Sequence, residues 1–89
     1  MNIKLNKDLI VFEEDEEILL INMKENTFHS LDSISSIIWN KIEEYKQVDD
    51  VIKFISENSD GEKGIIRKDI TEFIYNLEKV GVIEIDEKV

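Results

Sequence analysis

A strand-to-helix joint at residues 26–39, NTFHSLDSISSIIW, constrains the fold of this chain more than any other stretch. Thr27–Leu31 has the length of a short strand. Asp32 follows and is a good N-cap, because its carboxylate can accept the free backbone N–H groups of the next turn. The residues after Asp32 carry apolar side chains at i, i+3 and i+4, which predicts an amphipathic helix. We therefore expect strands before this joint and helices after it.

The sequence before the joint predicts sheet. Residues 1–12 contain two apolar stretches and predict either one strand with a break or a small hairpin. The run ILLINM at residues 18–23 is apolar on both alternating faces except at Asn22, which predicts a central strand covered on both sides. Thr27–Leu31 is then the third strand, antiparallel to that run across a turn at Asn26. Its polar residues favour an edge position.

The sequence after the joint predicts helices. The first ends near Lys46, the second begins at Val48, and the third covers residues 65–80 and ends at Gly81 in a left-handed cap. A loop at residues 58–64 separates the last two, and residues 82–85 form a closing extended segment. The first helix has Trp39 at the margin of a predicted apolar face of Ile34, Ile37, Ile38, Ile42 and Tyr45. The order β-β-β-α-α-α predicts an α+β fold with helices on one face of an antiparallel sheet.

Length and composition place the chain among small globular proteins. Its 89 residues predict one domain, residues 1–89, and 42% hydrophobic residues suffice for one core. There is no Cys, which excludes disulfides and thiolate chemistry. No stretch approaches the roughly 20 apolar residues that span a bilayer, and no signal-peptide pattern opens the chain. We expect a soluble, cytoplasmic protein.

The net charge of −10 narrows the classes of partner. Nucleic-acid binding draws its affinity from Lys and Arg on phosphates, so an acidic surface opposes it, as it opposes an anionic membrane. A basic or neutral partner is favoured, although such a charge also serves solubility alone. GEKG at residues 61–64 matches the GxxG loop of KH domains, and three helices with a small sheet also suit a winged helix. The acids around both features weigh against these alternatives.

Catalytic and metal-binding patterns are weak in this sequence. His29 is the single histidine, and with Ser30 and Asp32 it makes no plausible triad because neighbouring strand residues point to opposite faces. The acidic run at residues 13–17 lacks the spacing of a calcium loop and predicts a solvated turn. We expect no catalytic residue, no metal and no cofactor.

The ordered set of motifs resembles the PqqD-like family of peptide-recognition proteins over residues 17–83. An acidic turn and apolar strand, EEILLINM, precede a turn, an aromatic-containing strand and a helix with Ile-Trp at its centre. The last helix follows a D-x-x-x-F-I-x-x-L-x-x-x-G-V-I pattern from Asp69 to Ile83. The chain departs from the family at Asn26 and Asp32, which replace Gly and Asn, and at Ser35 or Ser36, where a glycine is common.

The resemblance implies a function and a set of binding residues. Such proteins bind the leader segment of a ribosomally made precursor peptide and deliver it to a modifying enzyme, such as a radical SAM enzyme or a leader peptidase. The implied fold is a three-stranded sheet packed on three helices in a winged-helix-like arrangement. The leader adds as a strand to the edge of the third strand and packs against the third helix. The implied peptide-binding residues are Thr27, Phe28, His29, Ser30, Leu31, Ile66, Arg67, Ile70 and Ile74.

Several of these residues have an alternative role. Ile70 and Ile74 suit core packing equally well, and Arg67 is either a partner for an acidic leader side chain or a solvated surface residue. Phe73, Leu77, Trp39 and Ile38 are assigned to the core. An exposed edge strand also permits pairing with a second copy, so a homodimer is a further possibility.

Overall fold

A computed structural model describes residues 1–86 and has the predicted α+β architecture. A three-stranded antiparallel sheet precedes three helices, as the sequence predicts. The elements in chain order are β1 (Asn2–Leu5), β2 (Leu9–Glu14), β3 (Glu17–Asn22), β4 (Thr27–Leu31), α1 (Ser33–Tyr45), α2 (Val48–Glu57), α3 (Lys63–Lys79) and β5 (Ile83–Asp86). The predicted third strand is therefore β4.

The strands form two separate sheets. The larger has the order β2-β3-β4, so β3 is central and β4 lies at an edge, as predicted. β1 pairs instead with β5, from Asn2↔Asp86 to Leu5↔Ile83. The prediction that residues 1–12 form one broken strand or a hairpin is wrong, because their two apolar stretches pair with different partners. The closing segment at residues 82–85 is extended, and β5 runs through most of it.

Asparagine side chains and a glycine connect the two sheets. Asn6 and Asn22 each donate a side-chain N–H to the carbonyl of Gly81, at 2.7 and 3.2 Å. Asn22 Oδ1 also accepts the backbone N–H groups of Lys24 and Glu25, which closes the β3–β4 turn. Gly81 has φ +85°, where an L side chain is strained, and this left-handed conformation at the end of α3 is the predicted one.

The observed helix ends lie within about two residues of the predicted ones. Asp32 Oδ1 accepts the N–H of Ser35 at 2.8 Å, which is the predicted N-cap of α1. α1 ends at Lys46 in the left-handed conformation, and α2 begins at Val48 as predicted. α3 begins at Lys63, two residues before the predicted start, so Gly64 lies in its first turn. The GEKG motif is therefore partly helical.

The buried face of α1 differs from the predicted one. Ser36, Trp39 and Ile42 are buried, whereas Ile34 is 73% exposed and Ile37 is 52% exposed. The face that meets the sheet is rotated by about one residue, or roughly 100°, from the apolar stripe. Ser36 explains the rotation, because its hydroxyl hydrogen-bonds to the sheet backbone and so belongs inside. Trp39 is fully buried and Ile38 packs against the core, in agreement with their core assignment, although Trp39 lies at the centre and not at the margin of the buried face.

The core lies between one face of the larger sheet, the three helices and the β1–β5 pair. On β3 the buried residues alternate, with Ile18, Leu20 and Asn22 inside and Leu19 and Ile21 half-buried outside. The prediction that this strand is covered on both sides is wrong. The buried apolar residues are Ile3, Ile18, Leu20, Leu31, Trp39, Ile42, Val48, Val51, Ile52, Ile70, Ile74, Leu77, Val82 and Ile83. They include none from β2.

Candidate functional site

The free backbone groups of β4 belong to alternate residues. The two-residue loop at Asp15 and Glu16 has φ 50° and 67°, which identifies a type I′ hairpin closed by the hydrogen-bonded pair Glu14↔Glu17. Hydrogen-bonded and non-hydrogen-bonded pairs alternate from there. The even-numbered residues of β3 therefore direct their backbone groups towards β4. Given the register Leu20↔His29, the N–H and C=O groups of Phe28 and Ser30 point to the outer edge of β4.

The outer edge of β4 is open in the described part of the chain. Within residues 1–86, β4 pairs with β3 alone. Phe28 and Ser30 are both exposed. An open edge of this kind is a template for an additional strand, since its backbone groups have no ladder partner.

The inner face of β4 is enclosed by the core. Thr27 and His29 are half-buried and Leu31 is buried. These inward side chains alternate along the strand with the exposed Phe28 and Ser30. Thr27 Oγ1 and His29 Nε2 are inaccessible to solvent and have no hydrogen-bond partner within residues 1–86. Buried polar atoms without a partner destabilise a protein, so each needs an explanation. These two atoms lie on adjacent inward-facing positions of the same edge strand.

A buried serine fixes one end of β4. Ser36 Oγ accepts the backbone N–H of Ile18 at 3.0 Å and donates to the carbonyl of Leu31 at 3.3 Å. It thus bridges the last pair of the β3–β4 ladder, Ile18↔Leu31. Sequence reasoning missed this residue. Its signal is a small polar residue inside an apolar helix.

The predicted α3 residues separate into two groups. Ile66 is half-buried and packs against the core, and Arg67 is exposed with its guanidinium 3.4 Å from Asp49. Both side chains of that ion pair are more than half exposed, so it is weak. Ile70 and Ile74 are buried at 2% and 1% exposure, which favours their alternative role in the core. Phe73 is half-buried beside them and Leu77 is buried, in agreement with their core assignment.

One ionisable group next to β4, the carboxyl of Asp32, has a shifted pKa. The backbone N–H of Ser35 lowers the pKa of the Asp32 carboxyl below its usual range. Among residues 1–86, no three His, Cys, Asp or Glu side chains converge on a position that could hold a metal ion. Over the same residues, no helix has the length and apolar character needed to cross a membrane.

Comparisons with known proteins agree with this geometry. The family model described as coenzyme PQQ synthesis protein D (PqqD) matches residues 17–83. Two solved structures match, both under 25% identical and therefore informative for the fold alone. TbiB1 in complex with the TbiA(beta) leader peptide has a TM-score of 0.87 at 21% identity, over 96% of this chain and 99% of that chain. A lasso peptide synthetase B1 complexed with the leader peptide has a TM-score of 0.84 at 16% identity, over 96% and 100%. No curated protein sequence matches significantly.

Proposed function

Because this chain belongs to the PqqD family, we propose that it binds the leader segment of a ribosomally synthesised precursor peptide and delivers it to a peptide-modifying enzyme. The observation that carries the proposal is the open edge of β4, whose outward backbone groups lie beside an enclosed inner face. Both structural neighbours are described as leader-peptide complexes, which supports the same role here. One of them is described as a lasso peptide synthetase B1, which favours a lasso-type precursor.

The affinity of the proposed complex comes from main-chain hydrogen bonds. A leader strand beside β4 pairs with the free N–H and C=O groups of Phe28 and Ser30, and so extends the sheet from three strands to four. Each such bond contributes about 1 kcal/mol net, which is modest alone and independent of side-chain identity. Strand addition therefore holds the peptide without selecting its sequence.

The specificity of the proposed complex comes from side chains on the inner face. Alternate leader residues point inward, next to Thr27, His29 and Leu31 and towards the half-buried Ile66 and Phe73 of α3. A polar leader group there supplies the partner that Thr27 Oγ1 and His29 Nε2 lack. Arg67 breaks its weak pair with Asp49 to meet an acidic leader side chain. Ile70 and Ile74 contribute from beneath, as the floor of the site.

The proposal assigns no catalysis to this chain. The whole of residues 1–89 acts as one cytoplasmic recognition domain, and a separate enzyme, such as a leader peptidase or a radical SAM enzyme, modifies the bound peptide. The single ionisable side chain of the edge strand, His29, serves as a contact and not as an acid or base.

Titration of the isotope-labelled protein with a synthetic leader peptide tests this proposal. The peptide is the leader of a short precursor sought among the genes neighbouring the gene for this chain, and a scrambled peptide of the same composition is the control. We expect amide shifts at residues 27–31 and 65–75 in two-dimensional NMR spectra. Shifts confined to residues 58–64, or no shifts at millimolar peptide, contradict the proposal. Salt-dependent binding to random DNA would instead support the winged-helix alternative.

A further inference from the structure

Within residues 1–86, no helix or strand covers the outer face of the larger sheet, which is mainly apolar. The strand register aligns its side chains in two rows, Phe12–Leu19–Ser30 and Ile10–Ile21–Phe28. Five of these six positions are apolar, and the three outermost apolar side chains are 45–61% exposed. With strands about 4.8 Å apart and alternate residues about 7 Å apart, the rows form one continuous patch. We call these six residues the outer patch.

The outer patch ends at an acidic border. The next row is Glu14–Glu17, and the hairpin tip beyond it is Asp15 and Glu16. Phe12, Leu19 and Ser30 line a shallow concavity together with Glu14, Asp15 and Glu17. None of the carboxylates of Glu14, Asp15 and Glu17 forms an ion pair within the described residues, and all three are exposed. The patch therefore combines an apolar centre with unneutralised negative charge on one side.

The charge of the border indicates the kind of occupant. A second copy of this chain would bring two acidic rows and a net charge of −10 per copy together, which opposes self-association. A protein surface with apolar residues beside Lys or Arg satisfies both parts of the outer patch, because complementary charges steer the encounter and exclude wrong partners. The chemistry thus favours a basic, apolar-centred protein surface.

The outer patch and the leader site can be occupied together. Strand addition uses backbone groups in the plane of the sheet, whereas the patch lies on the face perpendicular to it. Phe12 lies on the opposite outer strand, two strand spacings or about 10 Å from β4. A leader strand beside β4 would widen the same face, since its alternate side chains lie next to Phe28 and Ser30.

Given the leader-binding function proposed above, we infer that the outer patch is the docking surface for the peptide-modifying enzyme. One face of the sheet would hold the enzyme while the edge of β4 holds the peptide. The enzyme then meets the leader strand and the patch as one continuous surface, so it binds the leader-loaded protein more tightly than the free protein.

Two variants and one control distinguish the contribution of the apolar centre to docking from that of the acidic border. Phe12→Lys introduces a positive charge at an exposed position of the patch, and Ile34→Lys makes the same change at an exposed position on α1 as the matched control. The double variant Asp15→Asn/Glu16→Gly removes two charges and installs Asn-Gly, the preferred sequence of a type I′ turn. The double variant is expected to raise the melting temperature, so weaker docking cannot result from misfolding.

The probe is a purified peptide-modifying enzyme, sought among the genes neighbouring the gene for this chain. Its binding is measured against fluorescently labelled protein saturated with leader peptide. We expect Phe12→Lys to weaken enzyme binding about tenfold or more while leader affinity stays within about twofold. The double variant should slow association and reduce its dependence on salt. Ile34→Lys should match the wild type.

Three outcomes overturn the inference. Enzyme binding that is unchanged in Phe12→Lys removes the outer patch from the interface, and equal weakening in Ile34→Lys shows a general charge effect. A wild-type dimer in sedimentation that Phe12→Lys dissociates assigns the face to a second copy. Failure of the wild type to bind leader contradicts the proposed function instead, so the two failures are distinguishable.

Discussion

β2 and β4 are the outer strands of one sheet, and they differ in what lies beneath them. On β4 the inward side chains are half-buried or buried, ending in Leu31 in the core. On β2 all residues but Leu9 are exposed, including the inward-facing Val11 and Glu13. Within the described residues, α1 packs under β3 and β4, whereas the inward side chains of β2 other than Leu9 are exposed.

The comparison shows that an open edge alone does not make a peptide site. Both strands have unpaired outer backbone groups within the described residues, and each could therefore accept a strand. A peptide on β2 would lie over exposed inward side chains, while a peptide on β4 would lie beside inward side chains that are half-buried or buried. Under the proposed function, the enclosed inner face of β4, and not its hydrogen-bonding capacity, favours β4 over β2.

Proline substitutions on the two outer strands test this difference directly and should have the largest effect on leader affinity. Ser30→Pro removes an outward N–H of β4, and Val11→Pro removes the equivalent outward N–H of β2, so the existing ladder keeps its hydrogen bonds. We expect leader affinity to fall about tenfold or more in Ser30→Pro and to stay unchanged in Val11→Pro, measured by calorimetry. Loss of binding in Val11→Pro alone would place the leader on β2.

Removal of the serine that anchors β4 should have the next largest effect. Ser36→Ala leaves the buried N–H of Ile18 without an acceptor, which costs about 1–3 kcal/mol of unfolding free energy. Ser33→Ala, at an exposed position of the same helix, is the control and should change stability by less than about 0.5 kcal/mol. Urea denaturation measures both variants. Equal effects would show that the hydroxyl bridge contributes nothing specific.

The unpaired hydroxyl on the inner face of β4 supports a finer test. Thr27→Val removes a buried polar atom that lacks a partner, so the free protein should gain up to about 1 kcal/mol. Leader binding should weaken severalfold, because the proposed complex supplies that hydroxyl with its partner. Thr27→Ser keeps the hydroxyl and should retain affinity. A Thr27→Val variant that binds leader as tightly as wild type would exclude this contact.

The smallest expected effect is a pH dependence at the end of β4. The folded state lowers the pKa of Asp32, so this carboxylate stabilises the fold above its unfolded pKa of about 3.9. That contribution is lost as the pH falls through the lower folded value. Asp32→Asn retains an acceptor and does not titrate, so wild type should lose stability relative to the variant below about pH 4. Urea denaturation of both proteins at pH 6 and at pH 3 would measure this loss. A stability difference between wild type and variant that is the same at both pH values would contradict the prediction.

Local signals in the sequence predicted much of the secondary structure. The N-cap at Asp32, the left-handed end at Gly81 and the edge position of Thr27–Leu31 depend on neighbouring residues and were correct. The family resemblance over residues 17–83 was also confirmed. The assignment of individual peptide contacts stays a prediction.

Predictions that needed distant partners were less accurate. The first twelve residues were assigned to one unit because nothing local shows that β1 pairs with β5, about eighty residues away along the chain. The apolar stripe of α1 was misplaced because the hydroxyl of Ser36 takes an inside position by hydrogen-bonding to the sheet. A periodicity argument counts Ser36 as polar and cannot detect the two backbone groups that it satisfies.

The joint at residues 26–39 was determined by sequence alone, since a turn residue, a strand and a cap act within a few bonds of one another. The tertiary structure decided which faces of that joint are covered. It buried Trp39, exposed Ile34 and Ile37, and left Phe28 and Phe12 on the same open sheet face. Burial depends on how elements pack across the whole chain, and the residues that compete for the interior are far apart in sequence.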